Sequence, residues 1–470
     1  MSKLLINGKW VDGESVQVLK DKFHEEDYGE MAVASLEQVT EAVTGAVSGQ
    51  ETSTLSAYER YQILLQASRL TRERIDILSK LMCNEAGFTR PDADNEVRRC
   101  VQTLELSAEA AKYLNGELIP MEVASGMKNR IGYTVRMPRG VICAITPFNS
   151  PLNTLAHKIG PALAGGNAVI LKPSEVTPLT AVELCKILLD AGLPPTLLAL
   201  VNGAGASIGR QLLLDQRIAY YAFTGSTRVG LEIQQSAGLR GMQLELGSIA
   251  STIVCHDADI SMAIPKIINA GFRKAGQVCT SVQRLFVDRR ISSTFIPQFI
   301  EATKLAKAGD PSLPETIVGP MISRSQAQRA MTFVNEAITS GAKLLSGGTC
   351  EGNVMMPTIL IDVKKDMRVY CEEIFAPVIS ILVYDSLDDA VRQANDSPFG
   401  LAVGLFTSNL STALRTSRQL RFGGIHINEA SSARADVMPF GGVKHSGFGR
   451  EGPSYAIREM TEERLITIAY

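Results

Sequence analysis

Gly140-Val-Ile-Cys-Ala-Ile-Thr146, Ala168-Val-Ile-Leu171, Leu197-Leu-Ala-Leu-Val201 and Ile218-Ala-Tyr-Tyr-Ala-Phe223 follow one another at similar spacing. Each is apolar at consecutive positions, not at alternate ones, which suits parallel strands covered by helices on both faces. Between the second and third runs, Pro178 to Ala191 carries apolar residues at Leu179, Val182, Ile187 and Leu188. Thr177 stands at the N-cap of this helix, Pro178 suits its first turn, and Gly192 with Pro194 ends it. The unit is βαβ, repeated. The predicted fold is α/β, with a doubly wound, Rossmann-like sheet of the nucleotide-binding kind.

Outward from this block, helical patterns fill about 36 to 113 and are expected to pack onto the sheet. Residues 117 to 137 switch to short alternating segments that read as a hairpin leaving the domain. A second αβ series begins after about 248 and runs to about 441. The tail Glu462 to Tyr470 alternates again, as an edge strand in need of a partner.

Composition narrows the function classes. The 470 residues carry 47 Lys plus Arg against 49 Asp plus Glu, a formal net charge of −2, which argues against a nucleic-acid partner. No run approaches the roughly 18 apolar residues of a membrane span, and the start MSKLLINGKW breaks at Gly8. The 8 cysteines include no C-x-x-C pair, so they read as reduced thiols of a cytoplasmic protein, with no metal site.

Several short patterns sit where a nucleotide fold wants them. Gly203-Ala-Gly205-Ala-Ser-Ile-Gly209 and Phe223-Thr-Gly225-Ser226-Thr-Arg-Val229-Gly230 each follow a strand and open a helix, where free N–H groups meet phosphate or simply make a turn. Cys279, in Gly276-Gln-Val-Cys-Thr-Ser281, reads alone as a buried structural thiol. Glu245 stands between two leucines, where burial would raise its proton affinity and suit a general base, or else it is a solvated side chain. Asn149 offers an amide donor or caps a helix begun at Pro151.

Taken in order, Pro147-Phe-Asn149, Leu171-Lys-Pro-Ser-Glu175, Phe223-Thr-Gly-Ser226, Glu245-Leu-Gly247, Gly276-Gln-Val-Cys279, Glu372-Glu-Ile-Phe-Ala-Pro377 and Pro439-Phe-Gly-Gly-Val-Lys-His-Ser-Gly447 resemble the aldehyde dehydrogenase superfamily over nearly the whole chain. The resemblance implies Cys279 as nucleophile, Asn149 with the Cys279 N–H as oxyanion donors, and Glu245 as the base that hydrolyses a thioester. It implies NAD as cofactor, with NADP as the alternative. Lys172, Ser174 and Glu175 match the adenosine ribose site, Gly225 and Ser226 the pyrophosphate site, and Glu373 with Phe375 the nicotinamide ribose site. Ile145, Thr146, Pro147, Phe148, Gly205, Gly209, Phe223, Val229 and Leu246 complete the cofactor set. Ala376, Phe148 and Ser248 depart from the family's usual glycine, tryptophan and glycine.

The resemblance also implies a division of the chain. Residues 1–116 and 138–247 would bind cofactor and 248–441 would carry the catalysis. Residues 117–137 and 442–470 would join subunits of a homodimer or homotetramer. For the substrate, Asn153, His157, Arg99, Val278, Thr280, Arg434 and Phe440 are the expected walls. Arginines in that set match a carboxylate, phosphonate or sulfonate bidentately, so a small anionic aldehyde is the expected substrate. The competing expectations are an Arg434–Asp436 pair with solvated Arg98 and Arg99, a neutral or aromatic aldehyde, an ester-cleaving thiol hydrolase, and a non-catalytic ligand-binding relative.

Overall fold

The computed structural model describes residues 2–470 and holds two parallel-stranded sheets, each with its own core. In the first, the order is Leu198–Leu200, Ala168–Lys172, Val141–Ile145, Ile218–Thr224 and Gly241–Glu245, all parallel. The chain steps outward from Val141–Ile145 to one side and then returns to the other. This reversal opens a crevice at the carboxyl ends of Val141–Ile145 and Ile218–Thr224, where such sheets bind ligands. Antiparallel pieces close both edges: Leu4–Ile6 with Lys9–Val11 on one side, Gly447–Phe448 on the other. The helices Leu36–Thr52, Ala57–Glu73, Ile75–Ala86 and Arg90–Lys112 occupy the predicted helical stretch.

Two helix starts differ from the sequence expectation. Pro178–Asp190 has Thr177 at its N-cap, but the Thr177 hydroxyl makes no cap bond. The carboxylate of Glu85 caps it from another helix, accepting from the N–H groups of Leu179 and Thr180, the latter at 2.9 Å. A carboxylate at a helix N-terminus meets both free N–H groups and the positive dipole end. The helix expected from Pro151 begins at Asn153 and runs to Ala164. Residues 147–152 stay irregular because Glu96 accepts from the Ser150 hydroxyl and the Asn153 N–H, pulling the turn down.

The second sheet runs Lys343–Ser346, Thr358–Ile361, Val378–Tyr384, Val282–Asp288, Ala250–Val254, Ala402–Phe406, Gly424–Ile427, parallel except at its first pair. The tail and the hairpin, expected as separate unpaired strands, pair with each other. Thr461–Ala469 lies antiparallel along Arg130–Pro138, and Leu118–Ile119 adds a short third strand. Gly447–Phe448 belongs to the first sheet, so within 442–470 only the last strand joins this small sheet. Among the described residues, no helix is long and apolar enough to cross a membrane.

Candidate active site

A cavity of about 1180 Å³ opens at the crevice and continues between the two sheets. Cys279 lies on its wall in a loop of unusual backbone. Lys274, Ala275 and Gly276 all have positive φ, of 52°, 53° and 66°. At Gly276 a Cβ would stand 2.3 Å from the Ala376 carbonyl oxygen, so only glycine lets the loop cross there. Ala376 itself keeps an ordinary backbone, and the departure from glycine costs nothing locally. Burial pushes the Cys279 thiol up to about 12; Arg434 counteracts this, while Glu245, Glu373 and Glu451 add to it. At neutral pH Cys279 is therefore a thiol, and it would have to give up its proton before its sulfur could attack anything.

A buried ion pair positions the donor opposite. Lys274 donates to Glu96 at 2.8 Å and to the Asn149 carbonyl at 3.1 Å. Burial alone would raise the Glu96 carboxyl, but Lys274 and Arg99 hold it down at about 2. With its backbone fixed, Asn149 donates one side-chain N–H to the Gln277 carbonyl at 2.8 Å. Asn149 lines the same cavity as Cys279 and lies outside the helix it was set to cap.

Glu245 ends the strand Gly241–Glu245 with its side chain 3% exposed and neither carboxylate oxygen hydrogen-bonded. Burial and the neighbouring Glu451 push its proton affinity well up; Lys158, Arg434 and Arg450 counteract them. Burial would also raise Glu451, but Lys158, Arg434 and His157 hold it at about 2. Glu451 thus carries the charge of the pair, and Glu245 holds its proton to higher pH than an ordinary carboxyl.

The substrate walls differ from expectation in three ways. Asn153 and His157 do not line the cavity; Ser150 and Thr154 do. With the helix starting at Asn153, that residue and His157 share the opposite face, where both bond Asp436 at 2.9 Å. Asp436 in turn holds Arg99 bidentately, at 2.7 and 3.1 Å, so Arg99 faces the cavity already paired while Arg98 is exposed. Arg434 pairs with Glu451 at 2.6 Å, not with Asp436. Val278, Thr280 and Phe440 line the cavity. Arg273, which the sequence reading missed, lines it too and donates only to the Ser432 hydroxyl at 2.6 Å. Its signal was available: a cation in the loop six residues before Cys279.

The other half of the cavity is lined by all the residues expected to touch cofactor, from Ile145–Phe148, Lys172, Ser174 and Glu175 through Gly205, Gly209, Phe223, Gly225, Ser226, Val229 and Leu246 to Glu373 and Phe375. Ser226 caps the helix Thr227–Ala237. Glu373 accepts from the Ser248 N–H at 2.8 Å; burial pushes its carboxyl to about 7, against the pull of that N–H and Arg329. Arg329 fixes the Glu373 segment through the carbonyls of Glu373 and Ile374, a contact no sequence motif announced. A Cβ at Gly247 would approach the Glu373 carboxylate to 2.8 Å. Phosphate-ready N–H groups at a capped helix, a ribose-ready carboxylate at each end and glycines between them fit a dinucleotide.

The aldehyde dehydrogenase family model matches residues 10–466. The chain belongs to the aldehyde dehydrogenase family. A 3-sulfolactaldehyde dehydrogenase of Priestia aryabhattai is 44% identical over 466 residues, covering 99% of this chain and 97% of the relative. A lactaldehyde dehydrogenase of Methanocaldococcus jannaschii is 37% identical over 471 residues, covering 99% of this chain and all of the relative. A glyceraldehyde-3-phosphate dehydrogenase of the same organism, solved complexed with NADP, superposes with a TM-score of 0.93 at 36% identity, over 97% of this chain and 99% of that one. This aldehyde dehydrogenase is therefore an NAD(P)-dependent oxidoreductase of α/β fold.

Proposed function

We propose that the protein oxidises a small aldehyde, bearing an anionic group a few atoms from its carbonyl, to the carboxylic acid. The observation that carries this reading is Arg273. Arg99 and Arg434 enter the cavity with their charges answered by Asp436 and Glu451, whereas Arg273 makes no salt bridge among the described residues, although Asp92 and Glu96 act on it from a distance, and it lines the cavity with Cys279. A half-buried guanidinium left with one hydroxyl is best answered by an anion on the ligand. Relatives named for sulfonated and phosphorylated aldehydes support the same chemistry.

In this reading Cys279 loses its proton and its sulfur bonds the carbonyl carbon. The oxyanion is held by the Asn149 amide and the Cys279 N–H, each donor being worth on the order of 3 kcal/mol. The Lys172, Ser226 and Glu373 segments would hold NAD(P)+, which would supply the acceptor for the hydride of this carbon. The product on the enzyme is a thioester of Cys279. Water then attacks it, Glu245 takes the water's proton, and the tetrahedral adduct expels the Cys279 thiolate and the acid. Glu175, beside Lys172 on the cavity wall, would accept from a ribose 2′-hydroxyl and repel a 2′-phosphate, which favours NAD over NADP. The hydroxyls of Thr280 and Ser432, 3.0 Å apart beside Arg273, suit a hydroxyl on the same substrate.

Arg273→Ala tests this directly. KM for an anionic aldehyde should rise about 100-fold, while KM for a neutral aldehyde of the same length stays within about twofold, since a charge-assisted bond is worth roughly 1.5–3 kcal/mol. Equal changes for both substrates would contradict it.

We also propose that the chain forms a homodimer or a dimer of dimers. The strand Thr461–Ala469 pairs on one side only and exposes Leu465 and Ile468, with Tyr470 exposed just beyond it, an edge that proteins normally cover. Light scattering at micromolar concentration should give a dimer or tetramer mass; a monomer mass would contradict the assignment.

A further inference from the structure

Glu245 lies among four charged groups: Glu451, Lys158, Arg434 and Arg450. Glu451 precedes the helix Pro453–Glu459 and lines the same cavity. Lys158, from the helix Asn153–Ala164, donates to one Glu451 oxygen at 3.2 Å, and Arg434 to the other at 2.6 Å. His157 from the same helix and Arg450 from the adjoining loop also act on this pair. Cys279, from the loop Lys274–Gly276 onward, lines the same cavity, and the segment after the helix Arg368–Cys371 brings Glu373 to that cavity as well.

Of the two cations holding Glu451, Arg434 is the one on the cavity wall. Its guanidinium lies 3.8 Å over the Phe440 ring, which fixes its plane, and its Nε is buried without a partner. It therefore touches Glu451 directly and shares one cavity wall with Glu245 and Cys279. Anion recognition alone would not need the bond to Glu451.

We propose that Arg434 is a positioning residue for the general base: by pinning Glu451 it fixes the balance of charge around Glu245, whatever group the substrate carries. The proposal rests on Glu245 being the base of thioester hydrolysis and extends that reading to neutral aldehydes. Removing the Arg434 charge leaves Glu451 to Lys158 and withdraws a cation from Glu245, so Glu245 keeps its proton to higher pH. The base works ionised, and the acid limb of the rate profile must then move up. Removing the Glu451 charge takes away a like charge instead, and the limb must move down.

The test is the pH profile of kcat with propanal, which carries no anion, at saturating NAD+. Glu245→Gln first identifies the limb; a limb that survives this change overturns both the base assignment and the proposal. Arg434→Met should move the limb up by about one pH unit, and Arg434→Lys should restore it. Glu451→Gln should move it down, and the Arg434→Met/Glu451→Gln double variant should lie between. Opposite signs from two partners of one contact are not produced by a merely structural role. An unmoved limb in Arg434→Met overturns the proposal and leaves anion recognition by Arg273 standing. If Arg434→Met does not fold, a Glu451→Gln limb that is unmoved or raised overturns it equally.

Discussion

Cys279→Ala is expected to lower aldehyde-dependent NADH formation by a factor on the order of 10⁴ or more, as loss of a covalent nucleophile does. Binding of NAD+ should be unchanged, since the cofactor half of the cavity is built from the Lys172, Ser226 and Glu373 segments. Titration of the variant by fluorescence or calorimetry, beside its steady-state rate, checks both halves of the expectation. Because burial holds the wild-type thiol up at about 12, alkylation by iodoacetamide should be slow at neutral pH and speed up as pH rises. Substantial turnover by Cys279→Ala would end the thiolate mechanism.

Glu245→Gln should behave differently in kind. Its carboxylate has no hydrogen-bond partner, so the amide fits the same space without breaking a contact. One equivalent of NADH should appear in a burst, after which turnover falls about 10² to 10⁴-fold, the worth of a general base. Stopped-flow absorbance at 340 nm separates the two phases. Loss of the burst itself would place Glu245 earlier, as the acceptor of the Cys279 proton. Its raised proton affinity is compatible with that role too, and the burst decides which step depends on it.

The four apolar runs announced the first sheet because burial on both faces leaves a local mark: consecutive Val, Ile, Leu and Ala. The strands between 140 and 224 could be placed from that mark alone, whereas the helix expected from Pro151 begins only at Asn153. Cys279, Asn149, Glu245 and the expected cofactor residues, picked out by their ordered short motifs, all come to line one cavity. What escaped were contacts between distant parts of the chain. Glu85 caps a helix 95 residues on, Lys274 meets Glu96 across 178, and Arg99 meets Asp436 across 337. Charges carry no periodicity, so their pairing waits on the fold. This is why Arg434 and Arg99 read as free clamps and prove to be paired, and why the free cation, Arg273, went unnoticed. The same blindness applied to the tail, whose alternation asked for a partner without naming Arg130–Pro138.

The central claim, an anionic aldehyde taken through Arg273 to a Cys279 thioester, is tested most directly by comparing kcat/KM across one panel. Aldehydes of three to four carbons carrying a sulfonate, phosphate or carboxylate are set against propanal, butanal and benzaldehyde, with NAD+ and wild-type protein. An anionic member should exceed every neutral one by about 100-fold, the worth of one charge-assisted contact made in the transition state. A neutral or aromatic aldehyde with the highest kcat/KM would contradict the account.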